Sequence, residues 1–140
     1  VGLVETSYNS VGLIDLFGGI SSLRVALTAA GLSVDVHHYV DISGAAAKVV
    51  KHRCPDAVRK GDIRPLSENS VAYAKEIRKE VRALGKDLAA LVVACGFPCR
   101  ELSAVNQNRL GLHSGETARF HDAMKIFEHW SMKGTTVILH

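Results

Sequence analysis

The residue types most able to do chemistry fall in four short stretches: the turn Phe17-Gly18-Gly19-Ile20-Ser21-Ser22, Asp41, Asp62, and Cys95-Gly96-Phe97-Pro98-Cys99. Glycines at 18 and 19 let a backbone approach a ligand closely, and a helix starting behind them offers unpaired N–H groups. An acid closing a strand, as Asp41 does, can accept hydrogen bonds from two ribose hydroxyls. Asp62 can accept one from an adenine amino group. Together these groups suit an adenosine-containing cofactor. A cysteine thiolate is a nucleophile or a metal ligand. Cys95 and Cys99 lack the C-x-x-C pairing of structural zinc, so no metal site is expected.

The segments around these stretches alternate in character. Val11 to Phe17 is a short apolar run that reads as a buried strand, and Ile20, Leu23, Leu27 and Ala30 then recur at helical spacing up to Gly31. Val34 to Val40, rich in β-branched residues, reads as a second strand, and Ser43 as the cap of a helix reaching about His52. Ala57 to Ile63 reads as a third strand or an extended loop. Glu68 to Leu84 is an amphipathic helix, and the chargeless Leu88 to Ala94 belongs in the sheet centre. Arg100 to Gly115 reads as a polar functional loop, followed by a helix from about Thr117 to Trp130 and a strand from Thr135 to Leu139.

Strands alternating with helices define a three-layer α/β domain with a mostly parallel sheet. All four chemical stretches then lie at the carboxyl ends of strands, along the one edge where such sheets bind ligands. A nicotinamide dinucleotide would use the same corner. Its G-x-G-x-x-G fingerprint, however, meets Gly18-Gly19-Ile20-Ser21-Ser22-Leu23 here, without a third glycine. That register favours S-adenosylmethionine and leaves an NAD-binding oxidoreductase as an alternative.

At 140 residues and 47% hydrophobic content, residues 1–140 suit a single domain. A net charge of +3 is compatible with a polyanionic partner but does not require one. The three cysteines form no dense disulfide framework, which points to an intracellular setting, and no apolar run approaches the roughly 18 residues of a membrane span. Val1 at the start, and an apolar strand at the end without a following turn, read as signs of a piece of a longer chain, truncated on its C-terminal side.

Asp15-Leu16-Phe17-Gly18-Gly19-Ile20 resembles the first motif of the DNA cytosine-5 methyltransferases, and Gly96-Phe97-Pro98-Cys99, with Ser103 beyond it, resembles their catalytic motif. Tyr39-Val40-Asp41-Ile42 is similar to the family's second motif and Gly61-Asp62-Ile63 to its third; Asn106 to Arg119 looks closest to the de novo animal branch. The resemblance runs from about Val11 to the end and implies a Rossmann-like, S-adenosylmethionine-dependent fold. It implies that the first motif is cofactor-binding through Asp15, Phe17, Gly18, Gly19, Ile20 and Ser22. Asp15 by itself reads as a group that orients the turn. Asp41 would hold the ribose, Ile42 would pack on the adenine, Asp62 and Ile63 would read the adenine edge, and Pro98 would shape the pocket floor.

By the same resemblance Cys99 is the nucleophile. Its thiolate would add to C6 of cytosine, making C5 reactive enough to take a methyl group and leaving S-adenosylhomocysteine as product. Arg100 and Arg109 are candidates to assist the thiol, and with Ser103 they are the expected nucleic-acid contacts in a loop that closes over a flipped base. The implied partner is DNA, with self-association left open and no membrane. The implied setting is a prokaryotic or phage-host cytoplasm or a eukaryotic nucleus.

The chain departs from the family at Ser21-Ser22, where a glycine pair is usual, at Asp41, where a glutamate is usual, and at Arg100, where an amide is usual. The family's glutamate after the fifth strand does not occur before His140, so these residues alone are not expected to methylate DNA. Alternatives are a tRNA cytosine-5 methyltransferase and a non-catalytic module of the same fold. Among the remaining residues, His37, His38, His52, His113, His121, His129 and His140 read as surface or packing groups, with His113 a candidate nucleic-acid contact. Cys54 and Cys95 read as inert thiols, and Phe97 and Trp130 as packing.

Overall fold

A computed structural model describes residues 9–96, 118–130 and 136–139, the last of these as backbone. The calls on Phe97, Pro98, Cys99, Arg100, Ser103, Arg109, His113, His140 and the loop from Arg100 to Gly115 fall outside the described residues. The elements run β1 (Ser10–Leu16), α1 (Ser22–Ala29), β2 (Ser33–Val40), α2 (Gly44–Arg53), β3 (Val58–Arg59), α3 (Ile63–Glu68), α4 (Ser70–Ala83), β4 (Ala90–Cys95), α5 (Arg119–Phe127) and β5 (Thr136–Leu139).

The strands form one sheet in the order β3-β2-β1-β4-β5, with every pairing parallel. From β1 the chain steps outward through β2 to β3, then crosses to the other side for β4 and β5. The order therefore reverses between β1 and β4, and the carboxyl ends of those strands flank the crevice where this architecture takes ligands.

Strand alternation decides what each face buries. Ile14 and Leu16 of β1, Val36 and Val40 of β2, and Leu91 and Val93 of β4 form one core with Ile63, Tyr73, Ile77, Val81, Ala123, Ile126 and Trp130 from α3, α4 and the α5 segment. On the opposite face, Val11, Leu13, Val34, Ala90, Val92 and Ala94 meet Leu23 and Leu27 of α1, while Tyr39 packs with Ala47 and Val50 of α2. Each fully buried aliphatic side chain contributes about 1.5–3 kcal/mol.

Two expectations change. The third strand is limited to Val58 and Arg59, because Asp62 ends the extended segment by capping α3, its carboxylate accepting from the Arg64 N–H at 3.0 Å. Pro65 fits the first turn of that helix, where its missing N–H costs no bond. The segment Ile63–Glu68, not expected to be helical, is the short helix α3, while the amphipathic helix expected over Glu68 to Leu84 is α4, beginning after Asn69. No helix among the described residues is long and apolar enough to cross a membrane.

Candidate functional site

β1 ends at Leu16, and Phe17 follows with φ 57°, its N–H bonded to the Val40 carbonyl at 2.7 Å. The next turn is held at several points. Gly18 packs directly on the Asp15 carboxyl, where a Cβ would lie 2.5 Å from the carboxyl carbon, so no larger residue fits while Asp15 stays in place. Gly19 takes φ 53°, a conformation natural to glycine, and nothing lies within 4 Å of where its Cβ would be. The space above Gly19 is open.

Both backbone groups of Gly19 are tied to β2 and its end. Its N–H donates to Asp41 Oδ2 at 2.9 Å, and its carbonyl accepts from the Tyr39 hydroxyl at 2.7 Å. The other Asp41 oxygen accepts from the Ser43 N–H at 2.8 Å, and Ser43 Oγ caps α2 by accepting from the Ala46 N–H. Asp41 thus joins the tips of β1 and β2 and remains part-exposed. A carboxylate oxygen has two lone pairs, so each keeps capacity for one further donor such as a ribose hydroxyl.

The apolar residues flanking these tips are open to solvent, Ile20 at 48% and Ile42 at 80% exposure. Ser22 opens α1 and is exposed, while Phe17 is part-buried against the core. No side chain caps α1, and its first turn holds no acid. An anionic group could therefore meet its leading N–H groups.

Ser21 explains the missing cap. It sits fully buried at φ 57°, ψ 48°, and its hydroxyl donates back to Asp15 Oδ2 at 2.7 Å. Asp15, 5% exposed, lies beneath the turn and holds it, the orienting role that its position suggested. Burial raises its carboxyl above the ordinary 3.8, the Ser21 hydrogen bond opposes that, and the Asp41 charge adds to it.

At the end of β3, Asp62 also takes the Arg64 guanidinium, which keeps its carboxyl below the ordinary value. To read an adenine amino group it would have to share that carboxylate with Arg64. Ile63 is 2% exposed within the core, so its backbone rather than its side chain is what it can offer a ligand. At the end of β4, Gly96 follows Cys95, and the Gly96 N–H bonds to the Leu16 carbonyl at 3.1 Å, holding the tips of β1 and β4 together. Neither Cys54 nor Cys95 is in a disulfide.

The sequence reading did not single out Tyr39, Arg24 or Asp56, and it took His37 and His38 only as packing or surface residues. Both histidines are buried, at 3% and 0% exposure. The available signal was two adjacent polar rings inside a β-branched strand. His38 lies on the α4 face, where its Nδ1 is 3.1 Å from the Tyr73 hydroxyl and its Nε2 2.9 Å from Glu80. His38, Glu76 and Glu80 bring possible ligand atoms within 4.8 Å of one another, but the Lys60 ammonium already pairs with Glu76. That cluster is an ion-pair network with its own cation. Trp130, 5% exposed, packs edge-on against Tyr73 as expected.

The all-parallel sheet order and the crevice between β1 and β4 are those of a Rossmann-like α/β fold. No family model matches the chain, and no curated protein matches it. Solved structures do match. One is a crystal structure of a DNMT2 mutant from Spodoptera frugiperda, which superposes with a TM-score of 0.54 at 16% identity and covers 94% of this chain. The chain spans 34% of that protein's length, and identity this low establishes the shared fold alone.

Proposed function

We propose that this chain forms the cofactor-binding part of a DNA cytosine-5 methyltransferase. The observation that carries the reading is the Gly19–Asp41 hydrogen bond, which fixes a carboxylate beside an open, glycine-lined turn at the point of strand reversal. The residues present fit an adenosyl group. Asp41 can accept from ribose hydroxyls, Ile20 and Ile42 offer exposed apolar surface for the adenine, and the uncapped start of α1 suits a carboxylate. When bound, S-adenosylmethionine supplies an electrophilic methyl group. The chain's own contribution is to bind and orient it, and Cys99 is the thiol that the family resemblance puts in the nucleophile's place.

Three lines support the reading: the ordered motifs from Asp15 to Cys99, the fold, and a solved neighbour named as a DNMT2. DNA is the proposed substrate, with tRNA the competing one, and methyl transfer to each separates them.

The test is calorimetric titration of S-adenosylhomocysteine onto the full-length protein. Binding is expected, with Asp41→Ala roughly tenfold weaker through loss of charge-assisted hydrogen bonds. Binding of NAD in its place would overturn the assignment. Cys99→Ala is expected to abolish turnover and keep cofactor affinity; retained turnover would remove Cys99 from its role.

A further inference from the structure

The turn that approaches the cofactor crevice rests on a buried chain of polar groups. Arg24, in the first turn of α1, directs Nη1 to His37 Nδ1 at 3.0 Å and donates through Nη2 to Asp56 Oδ2 at 3.0 Å. His37 Nε2 is 3.3 Å from Ser21 Oγ, which donates to Asp15 Oδ2. Chemistry fixes the direction of every proton. A guanidinium only donates, so Nδ1 must be bare and Nε2 must carry the hydrogen. His37 then donates to Ser21, whose own hydrogen goes to Asp15. The order is Arg24 to His37 to Ser21 to Asp15, with no acceptor left facing an acceptor.

Ser21 holds a left-handed backbone conformation that costs an ordinary L-residue about 1–2 kcal/mol. Such a conformation persists only where its surroundings over-determine it. At Ser21 the surroundings are this chain of hydrogen bonds. Burial and the nearby Arg24 charge hold His37 down to about 4, so near neutral pH it is in the single-proton form that the arrangement requires.

Resting on the adenosyl-cofactor reading above, we propose that His37 and Arg24 are positioning residues for the cofactor: acting through Ser21, they lock the Gly18–Ser21 turn in its ligand-ready shape, although neither is at the crevice. The lock does with side chains what a glycine at position 21 would do by conformational freedom alone.

The experiment measures S-adenosylhomocysteine affinity of the full-length protein at neutral pH, well below its melting temperature. His37→Leu is expected to weaken binding about tenfold. His37→Gln, whose amide can accept from Arg24 and donate to Ser21, is expected to restore it to within about twofold. Ser21→Ala, which keeps the strain and loses the hydroxyl, is expected to weaken binding. Ser21→Gly, which needs no lock, is expected to bind nearly as well as the parent. This second pair decides the matter if His37→Leu does not fold.

Wild-type affinity in His37→Leu, or equal losses in Ser21→Ala and Ser21→Gly, would overturn the proposal while leaving the cofactor reading intact. A parent protein that does not bind S-adenosylhomocysteine would overturn the cofactor reading, and the proposal with it.

Discussion

His37 and His38 are consecutive in β2 and serve opposite faces of the sheet. Both are buried and, through burial, both have their imidazoles held below the ordinary 6.5. Their partners differ in sign. His37 meets the Arg24 cation and passes a hydrogen bond to Ser21, in the turn beside the crevice. His38 meets Glu80 and the Tyr73 hydroxyl, tying β2 to α4 on the other face of the sheet. One ring organises a loop for binding and the other joins two layers of the fold. Burial alone therefore does not give a histidine its role; what lies at the far end of its hydrogen bonds does.

The largest expected effect that probes this contrast is on acid stability. His37 is neutral in the folded protein down to about 4, whereas an unfolded histidine protonates at 6.5. The unfolded state then binds more protons between those values, so stability is present above 6.5 and is lost as pH falls towards 4. That window corresponds to a loss on the order of 3 kcal/mol from His37. Asp15 works in the opposite sense: its raised carboxyl costs stability as pH climbs above 3.8. Thermal melts across this range should show the loss, and His37→Gln should remove the part due to His37. An unchanged pH profile in that variant would mean that His37 is solvated or charged in the native state.

Next in size, His38→Leu leaves the buried Tyr73 hydroxyl and Glu80 without their partner. It should cost about 2 kcal/mol of stability in denaturant titration, with cofactor affinity unchanged in the protein that remains folded. Weaker binding there would erase the distinction between the two rings. Smallest, Tyr39→Phe removes the hydroxyl that donates to the Gly19 carbonyl and should lower stability by about 1 kcal/mol. A melting temperature equal to that of the parent would show that the Tyr39 hydroxyl adds nothing to the hold on the turn.

Much of the fold was legible because the signals are local. The chargeless Leu88–Ala94 run, the alternation of strands with helices, and the glycines at 18 and 19 each follow from the residues at hand, and the structure places β4 and the first turn accordingly. What was not legible came from contacts in space: the Asp62 carboxylate caps α3 and binds Arg64, which turns the segment after β3 into a short helix.

By itself, the order of residues determined the layer architecture, the edge of the sheet on which Gly18, Gly19, Asp41 and Asp62 gather, and the thinned glycine register at Ser21-Ser22. Hydrophobic periodicity and turn chemistry act over a few residues and can be read along a line. Only the tertiary structure decided that Ser21 could replace a glycine, because its support comes from Asp15 of β1 and His37 of β2, the latter held by Arg24 of α1, which Asp56 beyond α2 holds in turn. Hydrogen bonds between segments depend on distances that pairing of β1 with β2 and packing of α1 create, and no local pattern encodes them.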